Sequence, residues 1–378
     1  MKCIKLDWDL HLHNPIYESR RYVIRIGYSY TYFTGVVVDE FSIIIIINQI
    51  LDIAIKSGAQ AIHPGYGFLS ENSHFASLVC NAGLTFIGPP ASAIQAMGSK
   101  AESKALMIQA NVPTTPGYHG DNQDAHFLLE KAKDVVGFPL LIKATKGGGG
   151  KGMRIVLKDS DFLPSLESCQ RESLGAFGDT HVILEKYLQN PRHIEIQIMA
   201  DNYNNAVYLY ERDCSLQRRH QKLLEEAPAS DLPIDIRRTM GEMAIQAAKA
   251  VGYHNAGTVE FLFDTQASTP TFYFCEMNTR LQVEHPITEM ITGLDLVEWQ
   301  LRIASGEPLP IRNQADIPCV GHAMEARVYA ENPIKNFLPS TGYVWHHRPP
   351  VSPNVGSKGS ARVDTGIRSH QDITVYCT

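Results

Sequence analysis

At 378 residues the chain is long enough for two or three domains and more than one core. With 44% hydrophobic and 20% charged residues and a net charge of −6, it has no global attraction for nucleic acid or for acidic membrane surfaces. Its seven cysteines are scattered without a CxxC pair, which excludes a disulfide framework and a zinc ribbon and favours a reducing compartment. The most apolar run, Ile43 to Ile47, is five residues long, against the roughly 20 that a membrane-spanning helix needs. The first residues include Asp7, Asp9 and Glu18 and show no transit or signal pattern.

Residues 1–47 are rich in tyrosine and isoleucine and sustain neither helical nor strand periodicity. A short helix is expected over Ile50 to Lys56, stopped by Gly58, and then a strand at AIHPG. A helix capped by Ser70 or Asn72 and ending near Ala82-Gly83 follows, with a strand over Leu84 to Ile87. This is the β/α alternation of a parallel sheet. Beyond Ser99 come a helix over Lys104 to Ala110 and strands over Phe138 to Ala144 and Arg154 to Lys158. Further strands are expected at His181 to Tyr187, Ile194 to Ala200 and Ala206 to Glu211. Helices over Arg237 to Val251 and Leu294 to Ser305 flank a hairpin of Thr258 to Asp264 with Thr271 to Met277. From about 313 the chain turns to strands and many prolines.

Residues 143–152 read KATKGGGGKG, a glycine loop between two strands with Lys143, Lys146 and Lys151 around it. Successive glycines let backbone N–H groups approach an anion closely. A strand rather than a helix follows, so the dinucleotide fingerprint does not apply, and Thr145 and Met153 break the Walker A pattern. A phosphate-covering loop and a flexible surface hairpin both remain open.

Pairing Asp264 with Phe272 across the second hairpin puts Glu260 opposite Glu276. Two like charges directly opposite on a sheet repel, and a hard divalent cation between them reverses that. Period-two continuation then places Glu276, Asn278, Arg280, Gln282 and Glu284 on one face and Met277, Leu281 and Val283 on the other. That row suggests a substrate channel, against the alternative of a solvated strand face. ERDCSLQRRHQK (211–222) gathers Arg212, Arg218, Arg219, His220 and Lys222 as a candidate anion site, unless Glu211, Asp213, Glu225 and Glu226 neutralise it.

Taken together, AIHPGYGFLSEN, IKATKGGGGKGMRIV, EKYLQNPRHIEIQI, ERDCSLQRRHQK, GTVEF and EMNTRLQVEHPITEMITG resemble the biotin carboxylase family in order and spacing, from about Asn48 to about Tyr376. The resemblance implies a mixed α/β and α+β fold: an ATP-grasp domain with a partial Rossmann-like biotin carboxylase N-domain and a partial biotin carboxylase C-domain. The implied boundaries are 1–47 unmatched, 48–98 N-domain, 99–312 ATP-grasp with a lid at about 115–187, and 313–378 C-domain. GYHGDNQ, GLDLVEWQLRIASGE and GHAMEARVYAENP resemble the methylcrotonoyl-CoA carboxylase α branch, with propionyl-CoA carboxylase α next.

By that resemblance Lys100, Lys143, Gly149, Gly150, Glu185, Lys186, Tyr187, Leu188, His193, His220, Glu260 and Glu276 bind ATP. Glu260, Glu276 and Asn278 hold Mg²⁺ or Mn²⁺, and Lys222, Arg280 and Val283 hold bicarbonate. Glu284 is the base, and Arg327 faces carboxyphosphate and biotin. The implied partners are bicarbonate, biotin that is free or on a carrier domain of another chain, and a carboxyltransferase β-subunit. No nucleic acid or membrane is implied, and the implied location is the mitochondrial matrix. The sequence lacks the family's opening Asn-Arg-Gly-Glu loop and its Met-Lys-Met biotinylation hairpin. It is therefore expected to be a poor enzyme by itself, with Ile43 to Ile47 an aggregation hazard. Another ATP-grasp ligase, of the carbamoyl-phosphate type, and an impaired nucleotide-binding fragment are the competing readings.

Overall fold

The computed structural model describes residues 3–5, 23–25, 40–67, 69–146, 152–218, 221–349 and 360–373, with side chains described from Ile46 onward. The chain divides into two compact units, residues 1–67 with 326–378, and residues 68–325. No helix among the described residues is long and apolar enough to cross a membrane.

In the first unit, β1 (Cys3–Lys5) lies parallel to both β2 (Val23–Arg25) and β3 (Ala61–His63). Helix α1 (Glu40–Lys56) precedes β3. Residues 1–47, which sustain no period in the sequence, thus contribute two short strands and the start of a helix. The isoleucine run belongs to α1, whose Ile47, Ile50 and Ala54 are buried at helical spacing. Hydrophobic content masked the period there, because a run of isoleucines satisfies any template. Later in this unit are two short antiparallel pairs, Glu331–Asn332 with Leu338–Pro339 and Gly342–Val344 with Gln371–Ile373.

The second unit opens with α2 (Ser73–Asn81), capped by the Asn72 side chain on the Phe75 N–H. Strand β4 (Thr85–Phe86) and helices α3 (Ala91–Gly98) and α4 (Lys100–Gln109) follow. A four-stranded antiparallel sheet comes next, ordered β5 (Gly117–Tyr118), β8 (Val182–Lys186), β6 (Leu140–Ala144), β7 (Met153–Val156). Its apolar side, Leu140, Ile142, Val182 and Leu184, packs with Leu128 of α5 (Ala125–Lys131) and with Phe162, Leu166 and Cys169 of α6 (Phe162–Phe177). Gly152 enters β7 at φ +66°, and a Cβ there would stand 2.8 Å from that of Ala144. Only glycine accepts both the backbone angle and the approach. Gly147 to Gly150 and Lys151 lie outside the described residues.

The larger sheet has six strands, ordered β13 (Thr271–Asn278), β12 (Asn255–Asp264), β9 (Arg192–Ala200), β10 (Ala206–Arg218), β11 (Gln221–Ala227) and β14 (Ala323–Ala326). Helix α7 (Ile234–Ala250) lays Met240, Ala244, Ala247 and Ala248 on Ile194, Ile196 and Ile198 of β9 and Val259, Phe261 and Phe263 of β12. Because side chains alternate along a strand, His193, Glu195 and Gln197 take the opposite face of β9. Helices α8 (His285–Thr292) and α9 (Leu296–Ala304) complete the unit.

Candidate active site

The β12–β13 hairpin pairs Glu260 with Glu276 as expected, by a different route. At the turn the partners are Asp264 with Thr271, Phe263 with Phe272 and Phe261 with Phe274, one residue out of step with the sequence-based pairing. A bulge at Cys275 restores the step. It also changes parity: Phe272 and Phe274 enter the core, then Met277, leaving Glu276 and Asn278 on the polar side.

The strand does not run on to Glu284. It stops at Asn278, residues 279–284 are irregular, and α8 begins at His285. The polar side chains nonetheless converge. Asn278 Nδ2 donates to Glu260 Oε1 at 2.8 Å, and Gln282 Nε2 donates to the same oxygen at 3.2 Å. Lys222 Nζ, from β11, donates to Glu260 at 2.9 Å, to Glu284 at 2.7 Å and to Glu195. His193 Nε2 lies 2.6 Å from Glu260 Oε2. Arg280 joins the edge of this cluster, Nη2 donating to Asn278 Oδ1 at 3.3 Å, while the Glu71 carboxylate takes Arg280 Nε at 3.0 Å and the Thr279 N–H at 3.0 Å. Val283 is half-buried between Gln282 and Glu284.

The charges follow this geometry. Burial works against ionised Glu260, but Lys222 and His193 outweigh it and hold its carboxyl well below the usual range. Burial likewise opposes the Lys222 ammonium, and Glu195, Glu260 and Glu284 together raise it well above its ordinary value. Glu276 is the contrast. Burial and the Glu260 charge both push its carboxyl up, and it makes no hydrogen bond or ion pair with another described residue.

A second group lies beside the first. Ser99 caps α4 and places Lys100 at its first position. Burial lowers the Lys100 ammonium while Glu276 pulls it back. Lys143 of β6 meets Glu185 of β8 at 2.5 Å, and Lys104 of α4 meets the other Glu185 oxygen. The Glu185 side chain is thus consumed in holding two lysines. Beyond it, Lys186 is exposed, Tyr187 half-buried and Leu188 buried.

Several sequence-based assignments need correction. The basic cluster of 211–222 is not a patch: Arg212 is buried on Glu195, Asp213 pairs with Arg192 at 2.8 Å and Glu211 with Arg237 at 2.7 Å. Within it, Lys222 reaches Glu195, Glu260 and Glu284. Gly149, Gly150 and His220 lie outside the described residues, and Arg327 follows β14 in the first unit. Sequence reasoning missed Glu71, Glu195 and Lys104 as site neighbours. Glu195 was accessible: HIEIQI alternates, so Glu195 shares a face with His193.

The acidic hairpin fits a divalent cation. Tight ligand sets among the described residues are His193, Glu195 and Glu260, and also Glu195, Cys214 and Glu284. In both, the Lys222 ammonium already supplies positive charge to the carboxylates. Glu276 makes no ion pair with Lys222 and faces Glu260 with Asn278 alongside. A hard ion taking carboxylate and amide oxygen matches that edge.

A four-stranded sheet bearing Lys143 and Glu185 and a six-stranded sheet bearing opposed carboxylates are the two halves of an ATP-grasp fold. Residues 99–312 match the family model described as carbamoyl-phosphate synthase L chain, ATP binding domain. Residues 41–94 match that of the biotin carboxylase N-terminal domain. The mitochondrial methylcrotonoyl-CoA carboxylase subunit alpha of Arabidopsis thaliana is 56% identical over 328 residues, covering 86% of this chain and 43% of that protein. Two solved structures superpose with a TM-score of 0.81 each. One is the Campylobacter jejuni biotin carboxylase in complex with a β,γ-ATP compound, 43% identical, covering 87% of this chain and 71% of that one. The other is the biotin carboxylase domain of Hydrogenobacter thermophilus 2-oxoglutarate carboxylase with MgADP, ADP and bicarbonate, 45% identical, covering 90% and 73%. The chain belongs to the biotin carboxylase family of ATP-grasp ligases. It spans less than half the length of the curated relative it matches.

Proposed function

We propose that this chain catalyses ATP-dependent carboxylation of biotin by bicarbonate through carboxyphosphate. The observation that carries the reading is the Lys222 ammonium, fixed at 2.7 Å from Glu284 and 2.9 Å from Glu260, which sets a carboxylate base beside a cation-ready hairpin. Lys100 and Lys143 neutralise phosphate charge, with Gly149, Gly150, His193, His220 and the 185–188 stretch around the nucleotide. Mg²⁺ or Mn²⁺ on Glu260, Glu276 and Asn278 supplies further positive charge to phosphate oxygens when bound.

Lys222, Arg280 and the backbone at Val283 hold bicarbonate, and Glu284 takes its proton as its oxygen attacks the γ-phosphorus and ADP leaves. Carboxyphosphate then parts into CO₂ and phosphate. The phosphate removes the N1 proton of biotin, Arg327 balances the resulting negative charge, and N1 bonds to CO₂.

Identity to the methylcrotonoyl-CoA carboxylase α-subunit supports a place in that enzyme, with leucine breakdown as the pathway, a carboxyltransferase β-subunit and a biotin carrier domain as partners, and the mitochondrial matrix as location. The proposed domain limits are 48–98, 99–312 and 313–378. ATP turnover measured with and without bicarbonate and free biotin tests the activity. Stimulation requiring both supports it. Turnover with bicarbonate that ignores biotin supports a carbamoyl-phosphate-type ligase instead, and nucleotide binding without turnover supports an impaired fragment.

A further inference from the structure

Arg212 is one of the largest fully buried side chains, and nothing in the proposed reaction uses it. A guanidinium has five N–H donors in a fixed plane and no acceptor. Here Nε donates to Glu195 Oε1 at 2.5 Å, and Nη1 donates to Gln197 at 2.8 Å and to Thr288 at 2.9 Å. Nη2 donates to Thr258 at 3.3 Å and to Gln282 Oε1 at 3.0 Å. Five donors meet five acceptors drawn from β9, β12, the 279–284 segment and α8.

Two of these acceptors face the site with their other atom. The second oxygen of Glu195 holds Lys222, and the amide nitrogen of Gln282 holds Glu260 at 3.2 Å. Accepting from Arg212 fixes which end of the Gln282 amide points at Glu260, because the oxygen is committed to the guanidinium. It also fixes which oxygen of Glu195 remains for Lys222. The remaining contacts, to Gln197, Thr258 and Thr288, join sheet to helix and lead to no group in the reaction.

We propose that Arg212 is a positioning residue for the bicarbonate side of the active site, acting through Glu195 on Lys222 and through Gln282 on Glu260. The inference rests on the carboxylase reading above. It separates Arg212 from a rivet between sheet and helix, which would change stability alone. Lysine cannot replace it, since three donors on one nitrogen cannot reach five acceptors spread around the edge of a planar guanidinium.

The test compares Arg212→Lys, Gln282→Leu and Thr288→Val in the full chain, each assayed well below its own thermal midpoint. Arg212→Lys is expected to lose at least 10-fold in kcat and to raise KM for bicarbonate at least 5-fold. KM for ATP is expected to stay within about 3-fold. Gln282→Leu, which keeps the buried arginine on its other four partners, should show the same bicarbonate-weighted defect and stands in if Arg212→Lys does not fold. Thr288→Val should lower the midpoint and leave both KM values unchanged. Wild-type bicarbonate kinetics in folded Arg212→Lys or Gln282→Leu, or an equal loss toward ATP, overturns the inference while the carboxylase reading stands. A wild-type chain without bicarbonate-stimulated turnover overturns both.

Discussion

Glu260 and Glu276 face each other across β12 and β13 because Cys275 is an unpaired extra residue between Glu276 and Phe274. Were the strand regular through Cys275, Glu276 would share parity with Phe274 and point into the core. The opposed carboxylates repel in the absence of a cation, by roughly 0.2–1 kcal/mol for like charges on facing strands. Glu276→Gln is therefore expected to raise the thermal midpoint of the ligand-free protein slightly, while abolishing ATP turnover and the Mg²⁺-dependent part of nucleotide stabilisation. Near wild-type turnover in this variant would reject the metal assignment.

The bulge itself makes a separate prediction. What Cys275 contributes is one residue of backbone, and burial pushes its thiol up to about 12, so it stays neutral. Cys275→Ala should keep Mg²⁺-dependent stabilisation within a few-fold in nucleotide affinity. Deleting residue 275 removes the bulge and leaves Glu276 directly after Phe274, so regular alternation should keep it opposite Glu260 and the stabilisation should survive. Thermal shift with MgADP on both variants checks this, and loss of the Mg²⁺-dependent stabilisation in either would show that the bulge does more than set parity.

Arg280 is oriented by Glu71, a residue of the second unit far away in sequence, which also takes the Thr279 N–H. Arg280→Ala should lose bicarbonate-stimulated turnover while nucleotide affinity persists. Glu71→Gln keeps the shape and weakens the grip on the guanidinium, so its expected effect is a raised KM for bicarbonate, several-fold, with KM for ATP unchanged. Equal loss of nucleotide binding and thermal midpoint in Arg280→Ala would assign the arginine to structure instead.

The order of motifs, the α/β alternation and the facing of Glu260 with Glu276 were legible because period and composition report them directly. What was hidden depended on one-residue events and on three-dimensional neighbours. A bulge at Cys275 leaves no mark in an alternating pattern that happens to be right on either side of it. The polar residues from Asn278 to Glu284 alternate as a strand would, yet the chain there is irregular; Asn278 and Gln282 converge on Glu260 and Glu284 on Lys222, rather than sharing a sheet face. Arg212 and Lys222 read alike as cations in one basic run. Only the fold shows one sealed among neutral and acidic acceptors and the other reaching Glu260 and Glu284. In α1 the isoleucines concealed a helical period that buried Ile47, Ile50 and Ala54 reveal.

Glu185 supplies the pH-dependent prediction. It is 1% exposed and sits between Lys143 and Lys104. Burial alone would raise its carboxyl, and the two ammonium groups outweigh burial and hold it well below the ordinary range. A depressed folded-state value means that its stabilisation is complete above the unfolded carboxylate value, about 4.3, and is lost as pH falls through the folded value. Glu185→Gln leaves two buried ammonium groups facing a neutral amide, a change expected to cost about 3–5 kcal/mol at neutral pH. The gap between wild type and Glu185→Gln in denaturant unfolding should therefore be widest from pH 5 to 8 by about that amount and narrow steadily below about 4.3. A gap that stays constant down to strongly acidic pH would show that Glu185 acts through shape and not through its charge on Lys143 and Lys104.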